Sequence, residues 1–187
     1  MLVTMLGLKS RTDPAWARAA LADEAALLCD HAHLERKAAG HAITLMGQIP
    51  EFAPQILEVA HEELEHFERV CALLKARGIE LGPDRGNPYV KALTEATGKK
   101  TLLDRLLRMG LVEARSYEKF CLLAEEATGD LKQLYEDLKE SEAGHHALFV
   151  KLAYEKWPRD KVRARWDELA AAEADVVAST PWGSRIH

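Results

Sequence analysis

Apolar residues recur at alternating steps of three and four along four long stretches of the chain. This is the spacing expected of helices that pack against one another along a seam. The pattern predicts long helices over about 16–46, 52–77, 101–127 and 131–156, and a shorter fifth helix over 161–178. No stretch of any weight shows the strict apolar–polar alternation of a β-strand. The sequence therefore predicts an all-α protein.

The lengths of the connections indicate how the helices are arranged. Short links at 47–51 and 128–130 each join antiparallel neighbours. The link at 78–100 is rich in glycine and proline and is long enough to cross a whole bundle. We therefore expect a ferritin-like four-helix bundle with one long crossover and a short C-terminal helix, formed by residues 1–187 as a single domain.

Composition is that of a soluble globular protein, with 48% hydrophobic and 29% charged residues among 187. No apolar run approaches the roughly 20 residues that cross a bilayer, and residues 1–9 lack the order of a secretory signal. These features predict a cytoplasmic protein without membrane contact, either a monomer or a small homo-oligomer. Three separated cysteines without a C-x-x-C motif are expected to be small buried residues: Cys29, Cys71 and Cys121.

The net charge of −5 does not by itself indicate a nucleic-acid-binding protein. Basic residues nevertheless cluster in two places, each of which is either a solvated helix face or an RNA-binding surface. The first group contains Lys99, Lys100, Arg105 and Arg108, and the second contains Lys156, Arg159, Lys161, Arg163 and Arg165.

Each of the four long helices carries one glutamate on its apolar seam, where an unpaired carboxylate costs several kcal/mol. Two of these glutamates are followed three positions later by a histidine, which stands next to the glutamate on the helix surface. These six residues are predicted to be the metal ligands and the catalytic residues: Glu35, Glu63, His66, Glu113, Glu142 and His145.

The spacing repeats, since Glu63 follows Glu35 by 28 residues and Glu142 follows Glu113 by 29. A glutamate on one helix and a Glu-x-x-His motif on the next, present twice, is the arrangement of dimetal carboxylate bundles. Four carboxylates balance two divalent ions, and oxygen and imidazole ligands favour iron or manganese. A third match, Glu58 with His61, lies off the seam and is predicted to be on the surface.

The remaining polar residues near the seams are expected to have ordinary roles. His31, His33 and His41 are predicted to be surface or supporting residues, and His146 points about 100° away from His145. Tyr117 and Tyr135 lie one position off the seams and are expected to pack in the core. These patterns leave open a hydroxylase, a rubrerythrin-like peroxidase, a manganese catalase or a ferritin-like iron-handling protein.

Four segments resemble the ligand helices of the MiaE family, the tRNA 2-methylthio-N6-isopentenyladenosine hydroxylases. They are Asp30-His31-Ala32-His33-Leu34-Glu35-Arg36-Lys37-Ala38-Ala39, Glu62-Glu63-Leu64-Glu65-His66-Phe67-Glu68-Arg69-Val70, Glu113-Ala114-Arg115-Ser116-Tyr117-Glu118-Lys119-Phe120 and Ser141-Glu142-Ala143-Gly144-His145-His146. The set, in this order, extends over about residues 30–154.

The resemblance implies O2-dependent hydroxylation of the isopentenyl group on the modified adenosine at position 37 of tRNA. It implies a di-iron centre at the six ligands, O2 as co-substrate and two electrons from a separate reductase. Such a reaction needs an apolar pocket, for which Ala39, Val70, Met109 and Phe120 are candidates. The two basic groups are the first candidates for contact with tRNA.

Overall fold

The computed structural model describes residues 5–98 and 101–187, and Lys99 and Lys100 of the first basic group lie outside them. In the described residues the chain forms helices and no strands. The α-helices are α1 (Ala15–Leu21), α2 (Glu24–Met46), α3 (Ala53–Ala76), α4 (Pro88–Thr97), α5 (Leu102–Glu126), α6 (Gly129–Lys156) and α7 (Arg159–Ser179). Two short 3₁₀ turns, Met5–Gly7 and Pro50–Phe52, complete the secondary structure.

The bundle consists of α2, α3, α5 and α6, which confirms the predicted ferritin-like fold. Helix α2 packs mainly on α3, and α5 packs mainly on α6. The link from α3 to α5 is the long crossover, and α7 packs outside the bundle against α4 and α5. None of the described helices combines the length and apolar composition needed to cross a membrane.

The predicted helix over 16–46 is wrong in one respect, because the chain breaks between α1 and α2. Asp23 leaves helical geometry (φ −130°, ψ 82°), and its carboxylate accepts a hydrogen bond from the amide of Ala26 at 3.0 Å. An aspartate in this position satisfies an amide at the start of a new helix that would otherwise lack a partner. The break separates a short outer helix from the long bundle helix.

A second correction concerns the crossover, where the sequence analysis predicted no helix. Helix α4 begins there with Pro88, after Asn87 accepts a hydrogen bond from the amide of Val90 at 3.0 Å. Asparagine as a cap, followed by proline at the first position, is a favourable helix start. The glycine- and proline-rich composition of the crossover concealed it.

Two apolar layers fill the bundle. One layer lies towards the end where α2 finishes and includes Ala42, Ile56, Leu106 and Phe149. The other lies towards the end where α2 begins, and includes Leu28, Val70, Leu123 and Leu138. The seam glutamates fall between these layers in the sequence of all four helices, so the candidate site lies inside the bundle between them.

The three cysteines are free and only partly buried, which corrects the prediction that they are buried. They are not part of either the candidate site or the cavity described below.

Candidate metal centre

The structure brings the six predicted ligands together inside the bundle, one or two from each helix. Helix α2 contributes Glu35 and α5 contributes Glu113, whereas α3 and α6 each contribute a glutamate and a histidine one turn apart. All six side chains are buried, with no residue more than 5% exposed. So much buried carboxylate requires a compensating positive charge.

The six residues form two overlapping groups that could each hold one ion. Within each group the candidate ligand atoms lie within 4.8 Å of one another. The first group is Glu35, Glu63, His66 and Glu142, and the second is Glu63, Glu113, Glu142 and His145. Because Glu63 and Glu142 belong to both groups, they are the residues that can bridge two neighbouring ions.

Several polar atoms of the site have no hydrogen-bond partner in the described part of the chain. They are both carboxylate oxygens of Glu63, Oε1 of Glu142, and Nδ1 of His66 and His145. His145 Nδ1 lies 2.9 Å from a Glu63 oxygen, and His66 Nδ1 lies 3.6 to 3.8 Å from oxygens of three glutamates, without hydrogen-bond geometry. Buried polar atoms rarely lack partners. Two cations between these atoms would satisfy them, so the donor set fits the implied metal centre.

The pKa values of the two histidines respond to the surrounding carboxylates. Burial lowers the pKa of His66, but the nearby carboxylates of Glu35 and Glu63 outweigh burial and raise it to about 10. The same balance, with Glu63 and Glu113 as the main partners, raises the pKa of His145 to about 9. Without metal, the site therefore retains protons on imidazoles that must be neutral to bind an ion.

The carboxyl groups divide into two kinds. Burial and the charge of Glu63 raise the pKa of Glu113 to about 8, while burial and the charge of Glu113 raise that of Glu142 well above its usual range. Burial also opposes ionisation of Glu35, but the charge and hydrogen bond of His31 lower its pKa well below the usual range. In metal-free protein, protons thus replace part of the missing positive charge.

His31 is fully buried beside the candidate ligands. Of the two roles expected for it, surface residue or supporting residue, the structure therefore favours the second. Its Nε2 lies 2.5 Å from Oε1 of Glu35, one turn further along α2. Its ring stacks on that of Tyr135, with 5.6 Å between centroids and 14° between planes. Tyr135 packs in the core as predicted, and the pair restricts the orientation of the Glu35 carboxylate.

Glu62 is a supporting residue that the sequence analysis missed. Its Oε2 lies 2.8 Å from Nε2 of His145, so an Nε2–H donates to the carboxylate and leaves Nδ1 turned towards the other glutamates. Such a carboxylate orients a ligand histidine and selects its tautomer. Glu62 lies on α3, one position before a seam residue, whereas His145 lies on α6. Because the two residues belong to different helices, no spacing pattern within one helix predicts their contact.

The other candidates lie away from the centre. Glu58 and His61 are exposed, as predicted for the third Glu-x-x-His match. His146 Nδ1 donates to the carbonyl oxygen of Gly110 at 2.8 Å, and His33 Nε2 donates to that of Gly82 at 2.8 Å. His41 lies exposed on α2 at the cavity described next.

A cavity of about 820 Å³ reaches the candidate centre from the surface between α2, α4 and α5. Its deep end is lined by carboxylates of the site, and its walls include Leu34, Val90 and Val112. Met109 and Phe120 line it as predicted. Ala39 and Val70 were wrong as lining residues, because both are buried in the core away from the cavity.

The chain's C-terminal residues close one side of this cavity, a feature that the sequence did not indicate. His187 lies 3.1 Å from the Ser116 hydroxyl and stacks on Tyr89 of α4. The amide of Ile186 donates to Asp30 of α2 at 3.0 Å. These contacts tie the end of the described chain to three helices that surround the cavity.

The fold and the paired ligand groups define a class of protein, the ferritin-like bundles that can hold two metal ions between carboxylates. Comparison with known proteins narrows this class. The model of the tRNA-(MS[2]IO[6]A)-hydroxylase (MiaE) family matches residues 2–187. The chain belongs to this family.

Named relatives agree with this membership. The chain is 33% identical over 182 residues to the tRNA 2-(methylsulfanyl)-N(6)-isopentenyladenosine(37) hydroxylase of Pseudomonas putida, covering 94% of this chain and 89% of the relative. It is 33% identical over 129 residues to the enzyme of that name from Salmonella typhimurium, covering 67% of this chain and 47% of the relative.

Among solved structures, the fold is similar to that of a Synechococcus protein described as protein 43 with aldehyde deformylating oxygenase activity. The TM-score is 0.87 and the sequence identity is 38%, over 96% of this chain and 94% of that one.

Proposed function

We propose that this protein is a di-iron monooxygenase that hydroxylates the isopentenyl group of 2-(methylsulfanyl)-N6-isopentenyladenosine at position 37 of tRNA. The family match over residues 2–187 is the observation that carries the proposal. We assign Glu35, Glu63, His66, Glu113, Glu142 and His145 as the iron ligands. The protein would act in the cytoplasm, with O2 as co-substrate and two electrons from a separate reductase.

The overall change replaces one C–H bond by C–OH. One O2, two electrons and two protons are consumed, and the second oxygen atom leaves as water. Two iron ions held by the six ligands would supply the O2 activation and oxidising power that the side chains of the protein lack. The remaining tasks belong to the protein: to hold the ligands, to admit the prenyl group and to limit the access of water.

The cavity suits the isopentenyl group of such a substrate. Its volume of about 820 Å³ is within the usual range for small-molecule sites, and apolar side chains such as Met109 and Phe120 form part of its wall. A prenyl chain can pack against these apolar side chains without loss of hydrogen bonds, whereas water molecules find few hydrogen-bond partners there. The allylic methyl group would then lie at the deep end, next to the carboxylates.

Supporting residues keep the ligand atoms in place during turnover. His31 restrains the Glu35 carboxylate, and Glu62 holds His145 in the tautomer that presents Nδ1. Because these restraints exist before substrate binds, little reorganisation is needed when charge changes at the centre.

The test compares tRNA from cells that lack this gene with tRNA from cells that carry restored copies. Nucleoside analysis should show loss of the hydroxylated base, accumulation of its precursor, and recovery with the unaltered gene. His66→Ala should fail to restore the product and should bind less iron, whereas His61→Ala, exposed on the same helix, should restore it. An unchanged nucleoside profile in the deletion strain would refute the function, and an active His66→Ala variant would refute the ligand assignment.

A second candidate function is the deformylation of an aldehyde at the same centre. The observation in its favour is the 38% identity with the Synechococcus protein over 96% of this chain. Incubation of the iron-loaded protein and a reductant with a long-chain aldehyde should release formate if this function holds. Basic residues, among them Lys91 and Arg105, line the same cavity and favour the tRNA substrate, because a neutral aldehyde has no need of them.

A further inference from the structure

The opening of the cavity is lined by basic residues from three different helices. They are Lys37 and His41 on α2, Lys91 on α4, and Arg105 and Arg108 on α5. Within the described part of the chain, Glu95 has the one side-chain carboxylate that lines the cavity outside the candidate metal centre, and it lies 4.0 Å from Lys91. The opening therefore carries a local positive charge on a protein whose net charge is −5.

His41 and Arg105 differ from their basic neighbours in what their side chains contact. Lys37 Nζ is bound to Asp84 of the crossover at 2.8 Å, and Arg108 donates to the Thr97 hydroxyl at 3.0 Å. Arg105 is exposed, and across residues 5–98 and 101–187 its guanidinium has no hydrogen bond or ion pair. Burial lowers the pKa of His41, and the positive charges of Lys37 and Arg105 lower it further, so His41 lies within the electrostatic influence of both side chains.

The chemistry of the proposed substrate determines which group meets this opening. The isopentenyl group and the ribose are attached to opposite sides of the adenine ring system, so a methyl group at the deep end leaves the sugar near the surface. Each ribose of an RNA chain carries phosphodiesters on both sides. A negatively charged phosphate must therefore lie at the opening whenever the target nucleotide is fully inserted.

We propose that the α2–α5 rim, formed by His41 and Arg105, binds a phosphodiester next to the target nucleotide and so holds the base at the required depth. This inference rests on the proposed function and adds a binding subsite to it. The guanidinium can donate two parallel hydrogen bonds to phosphate oxygens, and His41 adds a third donor. Their role is to position the RNA, and neither contacts the reacting atoms.

The second basic group fits this role less well. Lys156 is paired with Glu51, and Arg165 is paired with Asp104 at 2.5 Å and Glu168 at 2.5 Å. None of its five members lines the cavity. Arg159, Lys161 and Arg163 are exposed on α7, and the last two form the rival docking surface.

The experiment measures binding of an anticodon stem-loop RNA to the iron-loaded protein by fluorescence anisotropy at several salt concentrations. Arg105→Gln should weaken binding about tenfold, the loss expected for a charged hydrogen bond, and should lower the salt slope by about one. Lys132→Gln removes an exposed charge from the far end of α6 and should change neither quantity. Unchanged melting temperatures would show that both variants are folded.

A kinetic comparison separates phosphate binding from general damage to the cavity. Arg105→Gln should raise KM for the modified stem-loop with little change in kcat, and should leave KM for the free modified nucleoside unchanged because it has no phosphate. An equal rise for both substrates would overturn the inference. Weaker binding after Arg163→Gln with normal binding after Arg105→Gln would also overturn it, since docking would then lie on α7.

Failure of the proposed function has a different signature. In that case the unaltered protein would hydroxylate neither the stem-loop nor the nucleoside, while its RNA affinity would still depend on Arg105. RNA binding that does not respond to Arg105→Gln would refute the subsite even if hydroxylation proceeds normally.

Discussion

At the scale of single residues, the candidate ligands are distinguished by the groups that restrain them. Glu35 is held by His31 from its own helix, whereas His145 is held by Glu62 from a different helix. Glu62 is half-exposed, so its contact with the imidazole adds orientation more than buried charge. Restraints of this kind are expected to affect metal affinity before they affect folding.

Replacement of Glu62 tests that expectation. Glu62→Ala should lower the affinity for one of the two ions by about 10- to 100-fold, because His145 loses the acceptor that fixes its tautomer. Glu58→Ala removes a similar charge from an exposed position of α3 and is the matched control. Metal titration of the metal-free protein provides the measurement, and equal affinities in both variants would contradict the assigned role.

At the scale of helices, a buried polar network joins the outer helices to the bundle. Arg115 of α5 is fully buried and binds both carboxylate oxygens of Glu173 on α7, at 2.8 and 2.9 Å. Arg115 also pairs with Glu118, which accepts a hydrogen bond from the Thr12 hydroxyl at 2.7 Å. Glu173 in turn accepts from the Tyr89 hydroxyl of α4 at 3.0 Å. The wall of the cavity is thereby anchored to α7.

Loss of one partner in this network should be costly. Glu173→Gln is expected to reduce the free energy of unfolding by about 3–5 kcal/mol, because the buried Arg115 guanidinium loses its main counter-charge. Glu168→Gln, which breaks an exposed pair with Arg165 on the same helix, should have a much smaller effect. Denaturant unfolding of both variants decides the matter, and similar small losses would show that the network contributes little to stability.

The same scale shows what local patterns can and cannot predict. The four bundle helices and α7 follow from apolar periodicity, which responds to one buried face along each helix. The α1–α2 break and α4 depend on single capping residues, Asp23 and Asn87, whose effect is about 1 kcal/mol each. Periodicity does not register such signals, so these two elements were missed although each has a local cause.

At the scale of the whole molecule, the bundle encloses a polar layer between two apolar ones, and its stability is linked to pH. Without metal, the pKa of Glu113 is raised to about 8 and those of His66 and His145 to about 10 and 9. Each group binds protons more tightly in the folded than in the unfolded protein. From these three groups, folding gains stability at low pH and loses it as pH rises from about 4.5, the usual pKa of a glutamate, to about 10.

Metal binding should reverse this dependence. Ions displace the protons, so their affinity increases with pH, and the metal-induced rise in melting temperature should grow between about pH 6 and pH 8. Thermal unfolding of metal-free and Fe(II)-loaded protein under anaerobic conditions, across that range, provides the comparison. In His145→Ala, the metal-induced rise in melting temperature should grow less with pH than in the unaltered protein. A metal-induced rise that is independent of pH would contradict a centre built from these groups.

The sequence by itself determined the four bundle helices and α7, together with the types and register of the candidate ligands, because a glutamate on an apolar seam and a histidine one turn away are local facts of one helix. Tertiary structure decided which carboxylates are shared, since Glu63 and Glu142 enter both ligand groups only when four helices meet. It also decided the contacts of Glu62 and His187, and it placed His41 and Arg105 around one cavity. Such contacts join residues far apart in the chain, and no periodicity within a helix encodes the distance between two helices.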